Sequence, residues 1–153
     1  GSEISGGIRN VTIRSCLMDN ENWSTLRFKS QPSRGGTVEN ITFEDITIKG
    51  ARSIFDINME WRMVPPLSPA HYPLTCLRNI HFKNINGEAQ SAGTMYGFKE
   101  APFGNDTFFF ENCHIKAQKG LSISNVANVN FKGLELEIKE GEKIYERSAN
   151  KDK

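Results

Sequence analysis

The sequence predicts an all-β fold, a parallel β-solenoid of about four to five coils, and three observations carry that expectation. A nine-residue pattern recurs along the chain. Its core alternates apolar and polar residues with period two, as a strand with one buried face does. Copies are separated by unequal lengths, which helical repeats of fixed period do not tolerate.

The first copy is Ile8-Arg9-Asn10-Val11-Thr12-Ile13-Arg14-Ser15-Cys16, and the second is Val38-Glu39-Asn40-Ile41-Thr42-Phe43-Glu44-Asp45-Ile46. Leu77-Arg78-Asn79-Ile80-His81-Phe82-Lys83-Asn84-Ile85 is the third. A degraded copy runs from Thr107 to Cys113, and a last one from Val126 to Leu134. The asparagines at the third position are 30, 39 and 49 residues apart. A constant strand with variable spacing implies coils of one solenoid whose extra residues bulge into loops. Val11, Ile13, Ile41, Phe43, Ile80, Phe82, Phe108, Phe110, Val129 and Phe131 are expected to point inward.

Each coil also carries a second strand, expected at Leu26 to Lys29, Ile54 to Asn58, Tyr96 to Lys99 and Leu121 to Ser124. In Leu26-Arg27-Phe28-Lys29-Ser30 the apolar residues face one way and the two cations the other. Two cations about 7 Å apart on one strand face suit an anionic group such as a sugar carboxylate, Arg as a planar fork and Lys as a point charge.

Asn10, Asn40, Asn79 and Asn128 share one register and are expected to hydrogen-bond up the stack as a ladder, with Asp45, Asn84 and Asn112 forming another. Asn10, Asn22, Asn40 and Asn105 begin Asn-x-Ser/Thr sequons, which are read as ladder and turn positions. Three cysteines make no disulfide framework. Cys16 and Cys113 fall at a core register, and Cys76 has no evident partner.

Between the second and third copies, Trp61 to Tyr72 and Pro73 include four prolines. Proline at that density excludes regular structure and predicts a long loop, where function is often placed. Its Trp61 and Tyr72 are expected either to stack on a sugar ring or to pack the loop onto the solenoid. Residues 1–139 are read as the solenoid and 140–153 as a charged, solvated tail.

Composition narrows the partners. The 153 residues carry a formal net charge of +1, which argues against a nucleic-acid or membrane partner. No apolar run approaches the ~20 residues of a membrane span. The chain opens Gly1-Ser2-Glu3 with no starting Met, basic n-region or apolar h-region, so it is expected to be processed, tagged or cut from something longer. His71, His81 and His114 show no metal-ligand spacing, and neither a metal nor another cofactor is expected.

Two stretches together, Gly1-Ser2-Glu3-Ile4-Ser5-Gly6-Gly7 and Arg27-Phe28-Lys29, resemble glycoside hydrolase family 28, the polygalacturonases and rhamnogalacturonan hydrolases of pectin breakdown. Phe28 departs from that family's Arg-Ile-Lys only at the inward residue. Ile57 to Trp61 looks bacterial in type. The resemblance implies a right-handed, single-stranded parallel β-helix of the pectin-lyase-like kind and an inverting glycosidase. It implies substrate binding by Arg27 and Lys29, with Asp56, Asn58, Glu60 and Trp61 beside them. Asp56 stacks beside Arg27 as its expected ion partner, and Asn58 beside Lys29. The family's catalytic aspartates and histidine have no matching motif in this chain and are expected upstream of Gly1, in a missing N-terminal half of the domain. On that resemblance the fragment alone is expected to be inactive. Its parent is expected to be secreted or periplasmic, and its partner an acidic polysaccharide or oligogalacturonide. The rival expectation is a β-solenoid that binds carbohydrate, or serves as structure, without hydrolysis.

Overall fold

The computed structural model describes residues 3–19 and 23–148. Asn22 of one sequon, Gly1 and Ser2 of the opening motif, and residues 149–153 lie outside them. Among the described residues all helical or strand structure is strand: β1 (Gly7–Met18), β2 (Ser24–Lys29), β3 (Thr37–Asn58), β4 (Cys76–Tyr96), β5 (Phe108–Glu111), β6 (Cys113–Ser124) and β7 (Leu134–Glu146). Every pairing is parallel, and the stack runs β1-β3-β4-β6-β7, with β2 on β3 and β5 on β4. Five coils therefore follow one another along a single axis, a right-handed parallel β-helix.

Such strands cannot be straight. The 22 residues of β3 would span roughly 70 Å if extended. Asn40 (φ 56°), Asp45 (φ 54°) and Gly50 (φ 69°) break the run with left-handed corners. β1 turns at Asn10 (φ 60°) and Ser15 (φ 56°), and β4 at Asn79 (φ 54°) and Asn84 (φ 51°). Asn and Asp are the non-glycine residues that visit this region most readily. The recurring polar position is thus a corner first and a rung second. The rungs form as expected. Asn40 Nδ2 donates to Asn10 Oδ1 at 2.9 Å, and Asn79 Nδ2 to Asn40 Oδ1 at 2.7 Å. Beside them, Asn84 donates to Asp45 and Asn112 to Asn84, both at 2.8 Å.

Inside the corners the apolar residues stack coil on coil. Ile41 pairs with Ile80 and Phe43 with Phe82, all four buried. Phe43, Phe82, Phe110 and Phe131 form an aromatic column, with successive ring centroids 5.5, 5.3 and 5.7 Å apart. Each such contact contributes about 0.5–1.5 kcal/mol beyond area burial. Cys16 pairs with Ile46 and Cys113 with Leu134, so both hold the core register expected of them, and all three cysteines are free. Burial raises the Cys113 thiol pKa above its ordinary value.

Four expectations need correction. Val11 points along the inward register yet is 37% exposed, because no described coil stacks on that side of β1. The last repeat copy is not a strand before Leu134: Val126 makes one bridge to Phe103. Asn128 accordingly joins no ladder, although Val129 and Phe131 still pack on the core. The second strand of the third coil ends at Tyr96, and Tyr96 pairs with Asn58. Its inward residues there, Ala92, Gly93 and Met95, are mostly too small for the apolar alternation to show. Gly93 is needed at that point, since at φ 125° a Cβ would collide with the Phe55 carbonyl. Finally, β7 continues to Glu146, through residues read as a solvated tail. Ile144 pairs with Leu121 and packs against the core, which holds the charged run in place.

Candidate functional site

β2 sets the site. Leu26 is fully buried, and Phe28 packs edge-on against Phe43 with centroids 5.8 Å apart. Alternation then turns Arg27 and Lys29 outward. Register carries two outward rows across the coils. One reads Arg27, Asp56, Thr94, Ser122 and Tyr145, and the other Lys29, Asn58, Tyr96 and Ser124.

Arg27 Nε lies 2.9 Å from Asp56 Oδ2. The approach is off the N–H direction, so no aligned hydrogen bond forms and the contact is chiefly Coulombic. Both cations also rest on Trp61. The Arg27 guanidinium is 4.6 Å and the Lys29 ammonium 4.7 Å from the indole centroid. Contacts of this kind are worth about 0.5–1 kcal/mol at exposed sites. Among the described residues Lys29 meets no carboxylate. Its charge is balanced only by the ring face.

Trp61 is held in position by a buried polar network beneath the loop. Its backbone amide donates to the Ser30 carbonyl at 2.8 Å. The Ser30 and Thr75 hydroxyls share a hydrogen bond of 2.7 Å. Gln31 Nε2 donates to the Val64 carbonyl at 3.1 Å, Ser33 Oγ donates to Gln31 Oε1, and the Leu67 amide donates to Ser33 Oγ. Ser30, Gln31, Ser33 and Thr75 are all buried. The proline-rich loop is therefore fastened to the turn after β2 as one wall beside the outward rows.

Beyond Asn58 the chain turns. Asn58 Oδ1 accepts the Glu60 amide at 2.8 Å, and Glu60 Oε2 pairs with Arg147 Nη1 at 3.3 Å. Arg147 lies 4.5 Å over the Tyr96 ring, whose hydroxyl is 3.0 Å from Ser122 Oγ. Asp56 lies on β3 whereas Glu60 sits in the turn after it, and each carboxylate is matched to its own arginine.

Arg27, Lys29, Asp56, Asn58, Glu60 and Trp61 thus belong to one contiguous surface. The indole lies against Arg27 and Lys29 of β2, so Trp61 joins the loop to the solenoid at the two cations. Tyr72 is 82% exposed and makes no ring or cation contact with described residues. Sequence reading missed Tyr96, Ser122 and Arg147. Tyr96 was expected to begin its strand and instead ends it, Ser122 lay in an expected strand but was not singled out, and Arg147 lay within a run of charge. No cluster of three or more His, Cys, Asp or Glu among the described residues could hold a metal ion.

The parallel β-helix thus lines one outward strip with two cations, an aromatic ring and hydroxyls. A family model, Glycosyl hydrolases family 28, matches residues 1–135, and the chain belongs to that family. Glycosidic-bond hydrolysis is therefore the general chemistry this family membership supports. Searches of curated proteins and of solved structures returned no match.

Proposed function

We infer that this chain forms part of the substrate cleft of a pectin-degrading glycosidase, with Arg27 and Lys29 gripping a galacturonate carboxylate near the scissile bond. The observation that carries this reading is Lys29, an outward ammonium steadied on Trp61 and facing no described carboxylate. A bound carboxylate supplies the missing partner, through charge-assisted hydrogen bonds worth about 1.5–3 kcal/mol each. Arg27, already beside Asp56, offers the remaining face of its fork. On this reading the reaction inverts configuration, with acid and base carboxyls ~6.5–9.5 Å apart supplied by residues upstream of Gly1. The substrate is a wall polysaccharide, which places the parent protein outside the cytoplasm.

The test uses the full-length protein. Arg27→Ala or Lys29→Ala is expected to lower kcat/KM on polygalacturonate by roughly ten- to a few hundred-fold. Lys29→Ala should matter less on a methyl-esterified substrate, whose carboxylate charge is gone. Unchanged kinetics in the double variant, or glycosidase activity from residues 1–153 alone, overturns the reading. Binding of oligogalacturonate without hydrolysis by the full-length protein would favour a non-catalytic module instead.

A further inference from the structure

Arg147 follows β7 in a stretch of charge, yet its side chain is only 25% exposed. Its amide donates to the Ile123 carbonyl at 2.8 Å, which extends the pairing of β7 on β6 by a residue. That continuation puts Arg147 in the row of Lys29, Asn58, Tyr96 and Ser124. From there the side chain folds back across the outward face. It crosses Tyr96 and ends on Glu60, a residue 87 positions earlier in the chain. Lys29 pairs with Asn58, and Asn58 with Tyr96. Tyr96 is therefore two strands from Lys29, about 10 Å at ~4.8 Å per strand. In that row the Arg147 side chain lies over Tyr96.

We propose that Arg147 closes the cleft on the side of the later coils and limits how many units of an acidic polysaccharide can lie beyond Lys29. The proposal rests on the reading of Arg27 and Lys29 as the carboxylate grip. A guanidinium whose charge Glu60 offsets is a weak receptor for a second carboxylate, and stacked on Tyr96 it is a wall. The ~10 Å from Lys29 to Tyr96 is comparable to a disaccharide. A chain end fits it, whereas an interior segment of a long polymer runs into the Arg147 side chain. Arg147 therefore determines specificity for length and takes no part in the bond-breaking step.

The experiment measures kcat/KM of the full-length protein on oligogalacturonates of increasing length, for the natural sequence, Arg147→Ala and Glu60→Gln. The second variant loosens the strap without touching β7. The natural protein should reach a plateau at short oligomers. In Arg147→Ala the ratio of kcat/KM on long over short substrates should rise about three- to ten-fold, because remote units then find room to bind. Glu60→Gln should move the ratio the same way by less. A length profile unchanged in both variants overturns the proposal. So does an equal loss at every length, which would make Arg147 a general support of the fold. Absence of turnover on any oligogalacturonate by the natural protein overturns the carboxylate-grip reading, and the length stop falls with it.

Discussion

Single residues in this chain owe their chemistry to the coil above and the coil below. Glu39 sits between Arg9 and Arg78, with contacts of 2.6 Å to each, and they hold its carboxyl below the usual range, Arg78 more strongly. His81 shows the opposite influence. Its ring stacks on Phe109 with centroids 4.9 Å apart, and its Nε2 donates to Asn79 Oδ1 at 2.7 Å. The ladder fixes that tautomer, since Asn79 Nδ2 is already donating to Asn40. Partial burial first, and Lys83 second, lower the His81 pKa from its ordinary 6.5. A depressed histidine favours the folded state while neutral. Its contribution is whole above the unfolded value and is lost as pH falls through the lower folded one. Denaturation midpoints should thus decline on mild acidification, before carboxylates titrate. His81→Phe, which keeps the ring stack, should flatten that decline. A slope unaltered in His81→Phe would remove His81 from the account.

At the scale of the coil, corners matter as much as strands. Asn40 meets two demands, a left-handed backbone and a rung bonded on both sides. Substitutions separate them. Asn40→Ala loses both and should cost about 2–3 kcal/mol, of which ~1–2 is the left-handed penalty and the rest the weakened, exposed hydrogen bonds. Asn40→Gly removes only the rung, so it should cost about 1 kcal/mol. Urea denaturation of both variants checks this, and equal losses would deny the corner its conformational role. The same reasoning explains why β3 and β4 wrap the core. Each is one long strand by pairing and several short sides by direction.

Among the described residues β1 and β7 are the outer strands of the stack, and the β1 end leaves apolar side chains exposed. Ile8 and Leu17 of β1 are 39% and 60% exposed. An apolar cavity of about 190 Å³ opens there between Ile4, Val11, Ile13, Phe28 and Ile41. An unpaired parallel edge with apolar side chains is a template for further strand addition. The chain made by itself should therefore associate through β1. Sedimentation should show species larger than a monomer, with β1 amides slow to exchange only in the associated form. A monomer whose β1 amides are protected would contradict this.

The sequence by itself determined the fold and half of the site. A period-two pattern repeated at unequal spacing admits few arrangements, and burying one face of each copy requires stacking. It also placed Arg27, Lys29 and Asp56 side by side, because parallel register follows from aligning the repeats. Only the tertiary structure decided the rest. The corner role of the asparagines depends on backbone dihedrals that no side-chain pattern displays. Trp61 lies in a loop whose position is set by buried bonds among Ser30, Gln31, Ser33 and Thr75, polar residues that look like surface in a sequence. Arg147 meets Glu60 because coils stack at a fixed rise. Separation along the chain then ceases to matter, and a run of charges gives no sign of which one will fold back.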